Sequence, residues 1–141
     1  MSDFVLDASI SLSWFVDNPV PDAARDVRDL LVKGRTGLVP ALWLFEMANG
    51  FLTAERRQIL TSLEVSACVD ELEILLAGGI EVAHYSQAAQ VRDLTITGRR
   101  YSLTGYDASY FALAQKERVP LLTLDRSLQA AAKKAGLPLQ P

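Results

Sequence analysis

The stretch FVLDASISLSWF, residues 4–15, decides the fold. Phe4-Val5-Leu6 is an apolar run too short for a helix and reads as a buried strand. It ends in Asp7, and residues 9–16 continue as a helix. Moving outward, Asp17-Asn18-Pro19 and Pro21 form a loop. Asp22 is placed to cap the next helix, with Ala23, Val27, Leu30 and Leu31 at helical spacing, and Lys33-Gly34 stops it. Gly37-Leu38-Val39 is a second short strand, closed by Pro40.

Residues 41–54 read as a helix with Glu46 near its middle and an apolar stripe of Leu44, Met47, Ala48 and Phe51. Thr61 or Ser62 starts a helix to about residue 76, and Gly78-Gly79 breaks it before a third strand at residues 80–83. Ser86 caps a helix ending near Thr97-Gly98, and Thr104 starts another that runs through Ala114. Residues 119–124 form a fourth strand, a last helix covers residues 127–135 up to Gly136, and Leu137-Pro138-Leu139 adds a short final strand. Strands alternate with helices, so the expected class is α/β, with a mostly parallel sheet of about four to five strands flanked by helices. With no repeat, linker or low-complexity tract, residues 1–141 are expected to form one domain.

Composition narrows the chemistry. Half of the chain is apolar, enough for one core. The single cysteine, Cys68, reads as a buried reduced thiol and excludes an internal disulfide or a zinc cluster. One histidine, His84, disfavours a His-based metal site or a Ser-His-Asp triad. The net charge of −3 argues against a simple basic nucleic-acid-binding module. The amino-terminal residues lack the pattern of a signal peptide, and no stretch approaches the ~20 apolar residues of a membrane span, so the expected location is the cytoplasm. Trp14, Trp43 and Phe51 read as core aromatics.

Catalysis, if present, therefore runs on carboxylates. Asp7 and Asp125 end strands, where open α/β sheets gather functional groups. Each is also a fitting N-cap for the helix that follows. Asp107 lies three residues after Thr104, the spacing of a capping box. Glu46 has no such ordinary role. It stands among apolar residues and shares one helical face with Leu42, Asn49 and Thr53, so Glu46 and Asn49 can point together into a cleft. Ser9 is placed to orient Asp7. Several carboxylates gathered within ~4–6 Å repel one another, and a divalent cation such as Mg²⁺ removes that penalty. No G-x-G-x-x-G or Walker sequence appears, which disfavours a nucleotide cofactor.

Four segments in order resemble one family: FVLDAS (4–9), VPALWLFEMANGF (39–51), LTGYDASYFALAQ (103–115) and PLLTLDRSLQAAAKKAGL (120–137). They look like a PIN domain, and more narrowly like the VapC toxins of bacterial type II toxin–antitoxin pairs. The resemblance spans essentially the whole chain and implies a PIN-like fold and an Mg²⁺- or Mn²⁺-dependent endoribonuclease leaving 5′-phosphate and 3′-hydroxyl ends. It places Asp7, Glu46, Asp107 and Asp125 on the family's four acids. By that resemblance Asp7 and Asp107 are the first choice as metal ligands, Asp125 ligates directly or through water, and Glu46 acts through water. Ser9, Asn49 and Thr123 fall on supporting polar positions. Arg99, Arg100, Lys116, Arg118 and Arg126 are candidate phosphate contacts; Arg99-Arg100 leads, being expected in the loop before the helix that bears Asp107. The resemblance also implies an RNA substrate, a homodimer and a VapB-type antitoxin covering the acidic pocket. The competing readings are a PIN-type RNA-processing or structure-specific nuclease without an antitoxin, and a non-catalytic domain that binds a cation or a basic peptide in its acidic pocket.

Overall fold

Phe4, Val5 and Leu6 have no exposed surface, so the strand they form is covered on both faces. The computed structural model describes residues 2–84 and 87–141. Its elements run β1 (Phe4–Leu6), α1 (Ala8–Val16), α2 (Asp22–Val32), β2 (Gly37–Val39), α3 (Leu42–Arg56), α4 (Ser62–Gly78), β3 (Ile80–Val82), α5 (Gln87–Tyr101), α6 (Gly105–Glu117), β4 (Leu121–Leu122) and α7 (Arg126–Lys134). The four strands form one sheet in the order β3-β2-β1-β4. Every pairing is parallel, with Val5 opposite Leu38 on one side and Leu121 on the other. All carboxyl ends therefore share one edge. The chain order reverses beside β1, which opens the crevice between β1 and β4 where α/β sheets bind ligands.

Trp43, Tyr110, Phe111 and Phe4 lead the buried side chains, and Trp14 and Phe51 join them in the core. Trp43 donates its indole N–H to Ser11 Oγ at 2.9 Å, and Trp14 donates to the Ala24 carbonyl at 2.7 Å, so both polar handles are satisfied inside. This choice turns α3 away from the expected stripe. Trp43, Met47, Phe51 and Ala54 face inward, whereas Ala48 is exposed and Leu44 is 41% exposed. Both registers fit a helical period; the observed one buries the larger aromatic surface. Cys68 is only partly buried, against the edge of the core.

Helix ends account for most of the other departures from expectation. Five helices close with the same signature: a residue of positive φ, followed by an N–H that reaches back five positions to a carbonyl. The positive-φ residues are Gly34, Gln58, Ser102, Arg118 and Gly136, and the bonds are Arg35 to Leu30, Ile59 to Ala54, Leu103 to Gly98, Val119 to Ala114 and Leu137 to Ala132. Where the residue is glycine, the end falls near its expected place. Where it is not, α3, α5 and α6 run two to four residues further than expected, to Arg56, Tyr101 and Glu117. Gly98 does not break α5. It lets the chain fold back, since a Cβ there would lie 2.8 Å from the Leu103 carbonyl oxygen.

Three smaller expectations also change. Asp22 is the first residue of α2 rather than its cap, and it pairs with Arg25. The fourth strand shrinks to two residues, because Thr123 to Asp125 turn into a hydroxyl-bonded corner. Leu137-Pro138-Leu139 forms no strand: Leu137 N–H already serves the cap of α7 and Pro138 has no N–H to offer. Ser86, expected to cap α5, lies outside the described residues. No helix among the described residues is long and apolar enough to cross a membrane.

Gly98→Ala should lower stability by about 1–2 kcal/mol, since overpacking against a backbone carbonyl outweighs the gain in helix propensity. Ser102→Gly should raise it by about 0.5–1 kcal/mol by relieving the left-handed conformation. Urea denaturation of both variants checks the pair.

Candidate active site

Asp7 follows β1 directly and is buried, with 7% of its surface exposed. It is N-terminal to α1 in position, yet its side chain makes no capping bond to that helix. Its Oδ2 instead accepts two hydroxyl bonds of 2.6 Å, from Ser9 and from Thr123. Each hydroxyl in turn accepts a backbone N–H at 3.0 Å, Ser9 from Leu124 and Thr123 from Asp125. Two backbone amides of the β4–α7 corner are thereby relayed to one carboxylate oxygen. Gln129 fixes the same corner from behind, donating to the Thr123 carbonyl at 2.7 Å.

Asp125 caps α7, accepting from Leu128 N–H at 3.0 Å. Asp107 lies in the first turn of α6, and Thr104 caps that helix by accepting from Asp107 N–H at 3.1 Å. The ordinary capping explanations thus hold for Asp125 and for Thr104, whose side chain also engages the Asp107 carboxylate. Glu46 projects from α3 and accepts a 2.6 Å bond from the Tyr110 hydroxyl. Asn49, Thr53 and Arg57 line one groove with Glu46, against Leu12 and Val16 of α1.

The four acids share one electrostatic neighbourhood. Burial raises the pKa of Glu46 most; the Tyr110 hydroxyl opposes this, and the charges of Asp7 and Asp107 add to the rise. Burial likewise raises Asp107, with the charges of Asp125 and Asp7 adding to it and Thr104 opposing. The ion pairs of the described residues, Arg25–Asp22, Arg28–Glu71 and Arg35–Asp3, lie elsewhere. Around the acids the charge is crowded and negative, their groups that could ligate a cation are oxygens, and Arg57 lines the groove beside Glu46. That donor chemistry suits a hard divalent cation. Among the described residues, no three acidic, histidine or cysteine side chains converge tightly enough to hold one ion between them. A cation that retains several of its own waters, as Mg²⁺ does, fits such a set.

Arg99 and Arg100 lie in the last turn of α5, not in a loop, because α5 continues through Gly98. Arg100 stands over the Tyr101 ring, 5.7 Å from its centroid. Arg99 lines a shallow groove with Gly98, Leu103 and Gly105, beside the start of the helix that carries Asp107. Two residues of the neighbourhood were not singled out from sequence. Arg57 continues the face of Glu46, Asn49 and Thr53 by one more turn, and Tyr110 follows Asp107 by three positions, so both were within reach of the helical period.

Comparison with known proteins gives the geometry a setting. Residues 4–134 match the family model of the PIN domain. A curated relative, Ribonuclease VapC3 of Pyrobaculum aerophilum, is 36% identical over 85 residues, covering 60% of this chain and 62% of that protein. The match therefore spans less than two thirds of the relative's length. The crystal structure of PAE2754 from Pyrobaculum aerophilum superposes with a TM-score of 0.69 at 21% identity, covering 92% of this chain and 84% of that one. Mycobacterium tuberculosis VapC20, described as a sarcin-ricin loop cleaving toxin, superposes with a TM-score of 0.64 at 16% identity, over 99% and 100% of the two chains. At these identities the two structures establish a shared fold.

The raised acids set a pH dependence. Glu46 and Asp107 bind protons more tightly in the folded chain than in the unfolded one, so stability falls as pH rises from their ordinary values of 4.5 and 3.8 through the raised ones. Asp107→Asn removes one such group. In the metal-free protein it should raise the melting temperature at neutral pH, with the gain fading as pH falls to the ordinary value of 3.8. Added Mg²⁺ should raise the melting temperature of the wild type more than that of the variant. Thermal melts over a pH series, with and without Mg²⁺, test both expectations.

Proposed function

The chain belongs to the PIN-domain family, and on that premise we propose that it is a divalent-metal-dependent endoribonuclease, the toxin of a VapC-type toxin–antitoxin pair. What supports the proposal is that Glu46 feels the charges of Asp7 and Asp107, and Asp107 those of Asp125 and Asp7, while Asp7 and Asp125 follow the carboxyl ends of β1 and β4, the strands at the reversal point of the sheet. Asp7, Asp107 and Asp125 would hold Mg²⁺ or Mn²⁺ partly through the ion's own waters, since they do not converge tightly enough to bind it directly all together. When bound, such a cation supplies charge neutralisation for the acids and polarises an RNA phosphodiester.

The chain's own residues divide the remaining tasks. Ser9 and Thr123 hold Asp7 by one oxygen and leave Oδ1 without a hydrogen bond from the described residues. Glu46, with its pKa raised by burial, is suited to take a proton from an attacking water, while Asn49 and Thr53 line the groove beside it. Arg99 is placed for a phosphate near the start of α6, and Arg100 is the weaker candidate because Tyr101 already engages it. Phosphodiester hydrolysis at this site leaves 5′-phosphate and 3′-hydroxyl ends.

Partners follow from surface and charge. The acidic neighbourhood attracts basic side chains of a VapB-type antitoxin. Phe45, Leu52 and Leu63 are 73%, 51% and 80% exposed, apolar surface of the kind that antitoxin binding or a homodimer covers. The working location is the cytoplasm.

Incubating the purified protein with total RNA, with Mg²⁺ or with a chelator, tests the reading. Cleavage should require the metal. Asp7→Asn should reduce it by about 10²–10⁴-fold, the scale for loss of one catalytic group, while the variant stays folded. Wild-type cleavage by a pure Asp7→Asn protein would sink the assignment.

A further inference from the structure

Tyr110 is among the most deeply buried side chains of the molecule, with 1% of its surface exposed, yet its hydroxyl does not serve the core. It donates a 2.6 Å bond to Glu46 Oε1, across from α6 to α3. The backbone of Ala8, the residue that follows Asp7, is near enough to the phenol oxygen to influence it. The phenol therefore sits between the β1–α1 junction and the α3 carboxylate. It also stands one helical turn after Asp107, on the same side of α6.

The packing of the helices makes this bond more than a local detail. α3 packs on α1 and α4, whereas α6 packs on α5, α7, β1 and β4. The two helices that carry Glu46 and Asp107 have no extensive contact with each other. Their acids nevertheless feel one another's charge. A half-buried carboxylate beside two others tends to swing outward or take up a proton, and a short hydroxyl bond opposes both.

We propose that Tyr110 is a positioning residue of the site: its hydroxyl, held in the core by the buried ring, fixes the Glu46 carboxylate relative to Asp7 and Asp107. This deepens the nuclease reading and rests on it for its catalytic consequence. The chemistry asked of Tyr110 is donation only. Burial and the Glu46 charge push its own pKa far up, so it stays protonated.

The test uses the full chain and two readouts. In the metal-free wild type, proton NMR should show a slowly exchanging, downfield tyrosine hydroxyl signal, lost in Tyr110→Phe and shifted in Glu46→Gln. In RNA cleavage with Mg²⁺, Tyr110→Phe should lower kcat by about 10- to 100-fold, the scale of one hydrogen bond to a charged group. KM should stay within about twofold, because the phenol lies behind the carboxylate and away from substrate. A kcat equal to wild type, or a KM effect alone, overturns the positioning role. Should Tyr110→Phe fail to fold, the hydroxyl signal in wild type and Glu46→Gln decides, and its absence or indifference to Glu46→Gln overturns the link. A wild type that cleaves no RNA overturns the nuclease reading instead, and the hydroxyl signal still judges the Tyr110–Glu46 bond separately.

Discussion

One carboxylate oxygen ties the first strand to the last. Asp7 Oδ2 accepts hydroxyl bonds from Ser9, two residues on, and from Thr123, 116 residues on. β4 has only two residues, so its ladder with β1 is brief. The hydroxyl relay extends that ladder in another form, carrying the N–H groups of Leu124 and Asp125 back to the end of β1. Hydrogen bonds to a charged acceptor contribute about 1.5–3 kcal/mol each, more than neutral ones. The position of Asp125 depends on this corner, since its N–H is one of the two that the relay holds.

The same region works against stability. Glu46 and Asp107 are partly desolvated, and each is raised further by neighbouring negative charge. A fold selected only for stability would place amides or apolar groups at these positions. The surrounding core is orthodox by comparison: its tryptophans are satisfied, and no buried side-chain N or O among the described residues lacks a partner. The carboxylates raised by burial and by each other's charge, Glu46 and Asp107, are thus set together, as expected where charge is retained for a ligand.

The sheet was legible in sequence because it rests on strong signals. Short apolar runs ending in Asp7 and Val39 mark strands, and the order of the motifs matches one family. The helix ends were legible where a glycine or a proline loop announces them, as after Val16 and at Gly34, Gly78-Gly79 and Gly136. Gln58, Ser102 and Arg118 adopt the same left-handed conformation with a side chain, and nothing in their identity signals it. That is why Arg99 and Arg100 were expected in a loop. The face of α3 was misjudged for a different reason: two helical registers fit its apolar residues, and the indole bond from Trp43 to Ser11 favours one of them. Tyr110 was hidden by its type, since a buried tyrosine among apolar neighbours reads as core.

The chain order of these parts has a temporal consequence. Among the described residues β4 is the last strand in chain order, and it pairs with β1, the first. Until Thr123 and Asp125 have been synthesised and have reached β1, Asp7 lacks one of its two hydroxyl donors and the fourth acid is missing. The hydroxyl relay on Asp7 is therefore completed only when β4 has docked on β1, which couples the order of this corner to the closing of the sheet.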